Sequence, residues 1–223
     1  MNPANTDKAV RFAEMARHVD EGIRALERRA LRDAIAAFER AYQVAKEADL
    51  GTDAMLGTLR NLALARREAG DHQGAVAAYR LALHAHGITD RQKAAVLHGL
   101  GVIYLRVGAY SRAKTLLTRA HALWQRVLKE NTPTWQTGAV RTECVRVALD
   151  LSRTLRSLGR YDDARCLLQP ILDNLTGVDP SEVPHAYIEL ARIAQQSGHL
   201  KEARRHLDQA LSFTHSDDPG LQA

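Results

Sequence analysis

The chain has 223 residues, with 31 Lys and Arg against 26 Asp and Glu, a formal net charge of +5 and 5 % aromatic residues. Its two cysteines, Cys144 and Cys166, fall on separate expected helices and suit reduced core thiols better than a disulfide framework, and no uninterrupted apolar run approaches the roughly 20 residues of a membrane-spanning helix. The charge excess is mild and no aromatic residues are interleaved with basic ones, so nucleic acid is not the expected partner.

The start, Met1-Asn2-Pro3-Ala4-Asn5-Thr6-Asp7, is polar and lacks the apolar core of a signal peptide, which points to a cytoplasmic location. Residues 1–6 are expected to be disordered. Thr6 or Asp7 can cap a helix running to about Arg29, with a partner helix from Leu31 to about Ala48. Gly51-Thr52-Asp53 stops one helix and caps the next, and a second pair over 53–69 and 72–86 turns at Gly70-Asp71. Thr89 or Asp90 caps the following helix, which Gly108 ends. Helices over 110–130 and 133–158 come next, with Thr132-Pro133 as a cap followed by proline at the first helical position. A turn at Gly159-Arg160-Tyr161 leads to a helix ending near Leu175, and Gly177-Val178-Asp179-Pro180 forms a loop. Ser181 and Pro184 start the last pair, which ends near Thr214, and 215–223 reads as a flexible polar tail containing Ser216-Asp217-Asp218-Pro219-Gly220.

Five small residues, Ala34, Ala75, Ala113, Ala164 and Ala203, anchor a recurring pattern. Twelve positions before them lie Gly22, Ala63, Gly101, Ser152 and Ala191, all small. Thirteen before, Leu62, Leu100, Leu151 and Leu190 recur, with Glu21 the exception; five before, Gly70, Gly108, Gly159 and Gly198 recur, with Arg29 the exception. Four after each anchor stands a bulky apolar residue, Phe38, Tyr79, Leu117, Leu168 or Leu207, and seven after stand Ala41, Ala82, Ala120 and Ala210, with Ile171 departing. Small residues let two antiparallel helices approach closely, and glycine enters the left-handed conformation of a helix C-cap without steric cost. Around Leu97, Leu100, Gly101, Tyr104, Gly108, Tyr110, Ala113, Leu117 and Ala120 the pattern resembles the tetratricopeptide repeat (TPR). The resemblance implies an all-α fold, a right-handed α-solenoid of about five helix pairs over 15–50, 53–87, 90–131, 133–176 and 181–214, forming one body over 7–214. The anchors are 41, 38, 51 and 39 residues apart, longer than the standard repeat of about 34. That resembles the longer repeats of the kinesin light chain and bacterial regulatory kind.

The residues that carry chemistry elsewhere are not arranged for it in this sequence. There is no Walker loop, nucleophile elbow or His-Glu-x-x-His motif, and His84 and His86, two apart, point in different directions on a helix. Cys144 and Cys166 have no paired spacing that suits zinc. The expectation is a non-enzymatic protein with no catalytic residue, no metal and no cofactor.

The resemblance implies that the first helix of each pair lines a concave groove. By offset from the anchors, its apolar residues include Val19, Ile23, Leu26, Leu64, Val102 and Leu105, with Arg60, Asn61, Arg67, His98 and Arg106 among them. Toward the other end they include Arg146, Arg153, Arg156, His185, Arg192, Gln195 and Gln196, and arginine suits bidentate capture of carboxylates. Asp150 and Glu189 are the internal candidates to neutralise those arginines. Val19 and Ile23 stand where a chaperone-type carboxylate clamp would have polar groups, which argues against that partner. The expected function is a protein-interaction scaffold binding a peptide or protein segment with acidic and apolar residues. The alternative is a regulatory sensor for a short signalling peptide or small anionic ligand. Trp124 and Trp135 either fill the space between two long helices or mediate homo-oligomerisation through them.

Overall fold

The computed structural model describes the backbone of residues 3–130 and 134–215 and the side chains of residues 6–130 and 137–213. Among these the protein is all-α, with no strand: α1 (Pro3–Glu27), α2 (Leu31–Glu47), α3 (Thr52–Glu68), α4 (His72–Leu83), α5 (Asp90–Arg106), α6 (Tyr110–Lys129), α7 (Thr134–Ser157), α8 (Tyr161–Asp173), α9 (Val183–Gln196) and α10 (Leu200–His215). α1 begins at Pro3, before the expected cap at Thr6 or Asp7; proline fits the first helical turn because its missing N–H would have no partner there. The Thr132-Pro133 cap and the tail after His215 lie outside the described residues. Ordering of the helix from Pro3 replaces the expectation of disorder over 1–6, of which residues 1 and 2 are not described.

Where one body over 7–214 was expected, the chain divides into two compact units, 1–103 and 104–223, with the boundary inside α5. In a repeat chain each helix pair contacts mainly its neighbours, so no central core ties all the pairs together.

In both units the small columns are the core. Ala34, Ala75, Ala113 and Ala164 are fully buried, as are Ala63, Ser152, Ala41, Ala82 and Ala120. The closeness they permit is visible at Gly22, where an added Cβ would lie 2.5 Å from Cε1 of the buried Phe38. In the 1–103 unit Gly99 plays the same part for Tyr79: a Cβ there would sit 2.3 Å from its ring carbon Cζ. A bulky residue of one helix thus rests directly on the backbone of another.

The turns within the pairs share one geometry. At Gly108, φ is 76°, the Gly108 N–H donates to Leu105 O at 3.2 Å, and the Ala109 N–H donates to Tyr104 O at 2.9 Å. These two bonds form a Schellman closure, which satisfies carbonyls left open at the helix end. Gly70, Gly159 and Gly198 repeat it with φ between 74° and 81°. Arg29, the exception in the column, adopts it too: φ is 57°, its N–H donates to Leu26 O at 2.9 Å, and that of Ala30 donates to Ala25 O at 2.8 Å. The tertiary closure therefore imposes on an arginine the conformation that glycine adopts freely.

A Cβ at Gly108 would meet nothing within 4 Å, so the cost of a side chain there is conformational, about 1–2 kcal/mol. Gly108→Val is expected to lower stability in urea or thermal unfolding by at least that amount, because a β-branched residue resists positive φ most. Arg29→Gly is expected to raise it by about 1 kcal/mol. An unchanged midpoint for Arg29→Gly would show that contacts of the Arg29 side chain offset its backbone strain.

Candidate partner-binding surface

In the 1–103 unit the groove positions lie on α1, α3 and α5. Ile23 is exposed and Val19 and Leu26 are half-buried on α1. Phe12 is also exposed, and with Ala16, Val19, Ile23 and Leu26 it makes a stripe at steps of four and three along one helical face. Phe12 precedes the repeat proper, so offsets from the anchors did not reach it, although the helical spacing contains it. On α3, Leu64 and Asn61 are half-buried and Arg60 is exposed. Arg67 is engaged: its Nε and Nη2 donate to Glu68 Oε1 at 3.1 and 2.9 Å. His98 and Val102 on α5 are half-buried. A cavity of about 300 Å³ opens between the end of α1 and α3, lined by Leu26, Leu31 and Leu64 with Arg29 and Glu68. It has an apolar floor and a charged rim.

In the 104–223 unit the exposed Arg106 closes α5, and the remaining predicted arginines lie on α7 and α9. Their geometry is dominated by Glu189, which is 0 % exposed. Arg156 Nε donates to Glu189 Oε1 at 2.6 Å, while Arg153 Nε and Arg192 Nη1 approach its Oε2 at 3.8 and 3.7 Å. Arg153 Nη1 also donates to Asp150 Oδ1 at 2.8 Å. Arg146 Nε donates to Glu182 Oε1 at 2.6 Å and its Nη1 to Glu143 Oε1 at 3.1 Å. The bond to Glu182 holds the Arg146 guanidinium above its ordinary range of protonation. Taking a carboxylate out of water is expensive unless cations repay the loss, and Arg156 repays it most directly. Asp150 and Glu189 thus pair with the arginines from within. Glu182, on the turn before α9, is a partner that reading along the chain did not find, because it is 36 residues from Arg146.

Trp124 is buried, 3 % exposed, so it packs inside the 104–223 unit and offers no aromatic surface to a second copy. The side chain of Trp135 lies outside the described residues. Burial pushes the Cys144 thiol up to about 11, which keeps it protonated and a poor nucleophile, while Cys166 is exposed. Among the described residues no group of three or more His, Cys, Asp or Glu is placed to hold a metal ion, and no helix is long and apolar enough to cross a membrane.

Residues 94–134 and 184–214 match family models described as the tetratricopeptide repeat. A search of the curated proteins finds no match. Among solved structures, BtubC (BKLC) from P. vanneervenii is 18 % identical, covers 97 % of this chain and 96 % of its own, and superposes with a TM-score of 0.72. The TPR-like repeats named for a kinesin light chain of Podosopora anserina are 18 % identical over 94 % of this chain and 99 % of theirs, with a TM-score of 0.71. Pseudomonas aeruginosa PilF is 18 % identical over 90 % of this chain and 78 % of its own, with a TM-score of 0.62. At these identities the likeness establishes the fold and leaves the partner to the surface residues.

Two measurements check the charges and thiols. Glu189→Ala is expected to cost about 3 kcal/mol in unfolding free energy, because it takes from the half-buried Arg156 its closest counter-ion and opens a gap where a fully buried side chain was packed, whereas Arg192→Ala, more than half exposed, should cost no more than about 1 kcal/mol. Equal effects would remove Glu189 from its central place. A thiol reagent at pH 8 is expected to label Cys166 quickly and Cys144 only on unfolding; rapid labelling of both would show that Cys144 is not shielded.

Proposed function

We propose that this tetratricopeptide-repeat protein, a protein-interaction module by its repeats and fold, holds a peptide or protein segment on the first helices of its pairs. The observation that carries this reading is the apolar stripe of α1, exposed at Phe12 and Ile23, beside the open cavity of about 300 Å³. A stripe at helical spacing normally faces a core, and an exposed one loses free energy until something covers it. The segment it suits places an apolar side chain over Leu26 and Leu64. Acidic residues on that segment would meet the exposed Arg29 and Arg60, so the preferred partner chemistry is apolar flanked by acidic. His98 and Val102 on α5 belong to the same proposed surface, while Arg153, Arg156 and Arg192 are secondary to it, since Glu189 and Asp150 already occupy much of their charge.

The two ends are separable by mutation. Phe12→Ser with Ile23→Ser removes exposed apolar groups without entering the core, and Arg153→Glu with Arg192→Glu reverses the other cluster. Captured partners, identified by mass spectrometry from wild-type pull-downs and then titrated in purified form, are expected to lose affinity about tenfold or more with the first pair and to keep it within a few-fold with the second. The opposite ranking, with helicity unchanged in both variants, would overturn the placement on α1 and α3 and move the site to the arginines.

A further inference from the structure

The column of bulky residues four positions after each anchor breaks at its last member. Phe38, Tyr79, Leu117 and Leu168 are 0–6 % exposed, whereas Leu207 on α10 is 46 % exposed. The residue type is apolar as before, so only its cover is missing. Leu200 and Leu211 on the same helix are 67 % and 54 % exposed. With Arg204 they follow steps of four, three and four along α10, the spacing of a seam that packs against another helix. Beside this seam a cavity of about 430 Å³ opens between α9 and α10, floored by Ile188, Ala191 and Ala203.

We propose that α10 pairs with α10 of a second copy of this chain, in antiparallel register about a two-fold axis. The charges on the seam select that occupant. Arg204 and Asp208 are both exposed, neither forms an ion pair within its own chain among the described residues, and they flank Leu207 four residues apart. In a two-fold interface, residue i meets j and j meets i, so a face that carries one cation and one anion across its centre complements itself. With Leu200 set opposite Leu211 of the other copy, Arg204 falls one residue from the opposing Asp208, within the reach of its side chain. The pairing then buries three leucines per copy and closes two equivalent salt bridges. It is independent of the segment-binding surface on α1 and α3, and it lies on a different helix from Trp124 and Trp135.

Sedimentation of the full chain over a concentration series tests this. The wild type is expected to form dimers, and Leu207→Glu to weaken them about tenfold or more. Arg204→Asp and Asp208→Arg should each weaken the dimer similarly, by setting like charges face to face, and the two together should restore it to within a few-fold of wild type. Rescue by the double exchange requires that both partners carry the same seam. A wild type that stays monomeric at about 100 μM would overturn the proposal, leaving the face to the chain's own 216–223 segment or to a foreign helix. Dimers that are indifferent to Leu207→Glu would overturn it as well, by placing the contact elsewhere.

Discussion

The fold depends on a single steric condition, the approach of a bulky side chain on one helix to the bare backbone of another. Phe38 lies against Gly22 and Tyr79 against Gly99 at separations where a Cβ has no room. Dispersion and burial reward such closeness only if the smaller partner stays small, which is why the anchor column and the one twelve before it hold only Gly, Ala and Ser. The left-handed turns follow from the same condition. A second helix that must return antiparallel against the first needs an abrupt reversal, and the Schellman closure supplies it while satisfying the freed carbonyls. Arg29 shows the hierarchy: its backbone takes φ of 57° because helix packing outweighs about 1–2 kcal/mol of local strain.

Charge obeys a second condition, that a buried carboxylate brings its own counter-ions. Glu189 sits where α9 packs toward α7, and it draws in arginines that would otherwise look like an open anion site. The four arginines of this region, Arg146, Arg153, Arg156 and Arg192, meet four carboxylates, Glu143, Asp150, Glu182 and Glu189. Attraction for an incoming acidic segment is thereby much reduced, since its carboxylates would have to compete with groups already in place. The two proposed binding surfaces are accordingly apolar ones, the stripe on α1 with Phe12 and Ile23 exposed and the seam on α10 with Leu200, Leu207 and Leu211 exposed.

Sharing a fold with BtubC, the Podosopora repeats and PilF constrains these surfaces little. The columns common to such chains specify packing between helices. A shared fold does not by itself specify the exposed side chains that a partner would meet.

The chain alone determined the all-α fold, the pairing of helices, the small-on-bulky columns and the glycine turns, because each is encoded by residues at fixed short separations. Helix periodicity and the conformational freedom of glycine are local properties, and repetition at Ala34, Ala75, Ala113, Ala164 and Ala203 made them legible. The repeat offsets also identified Arg153 and Arg192 as neighbours of Glu189. Only the tertiary structure decided the state of those residues, since Arg156 and Glu189 are 33 residues apart and Arg146 and Glu182 are 36 apart. It likewise decided that Leu207, of the same type as its four buried counterparts, stands exposed. Exposure and ion pairing depend on what lies across a helix interface, a distance in space that spacing along the chain does not encode.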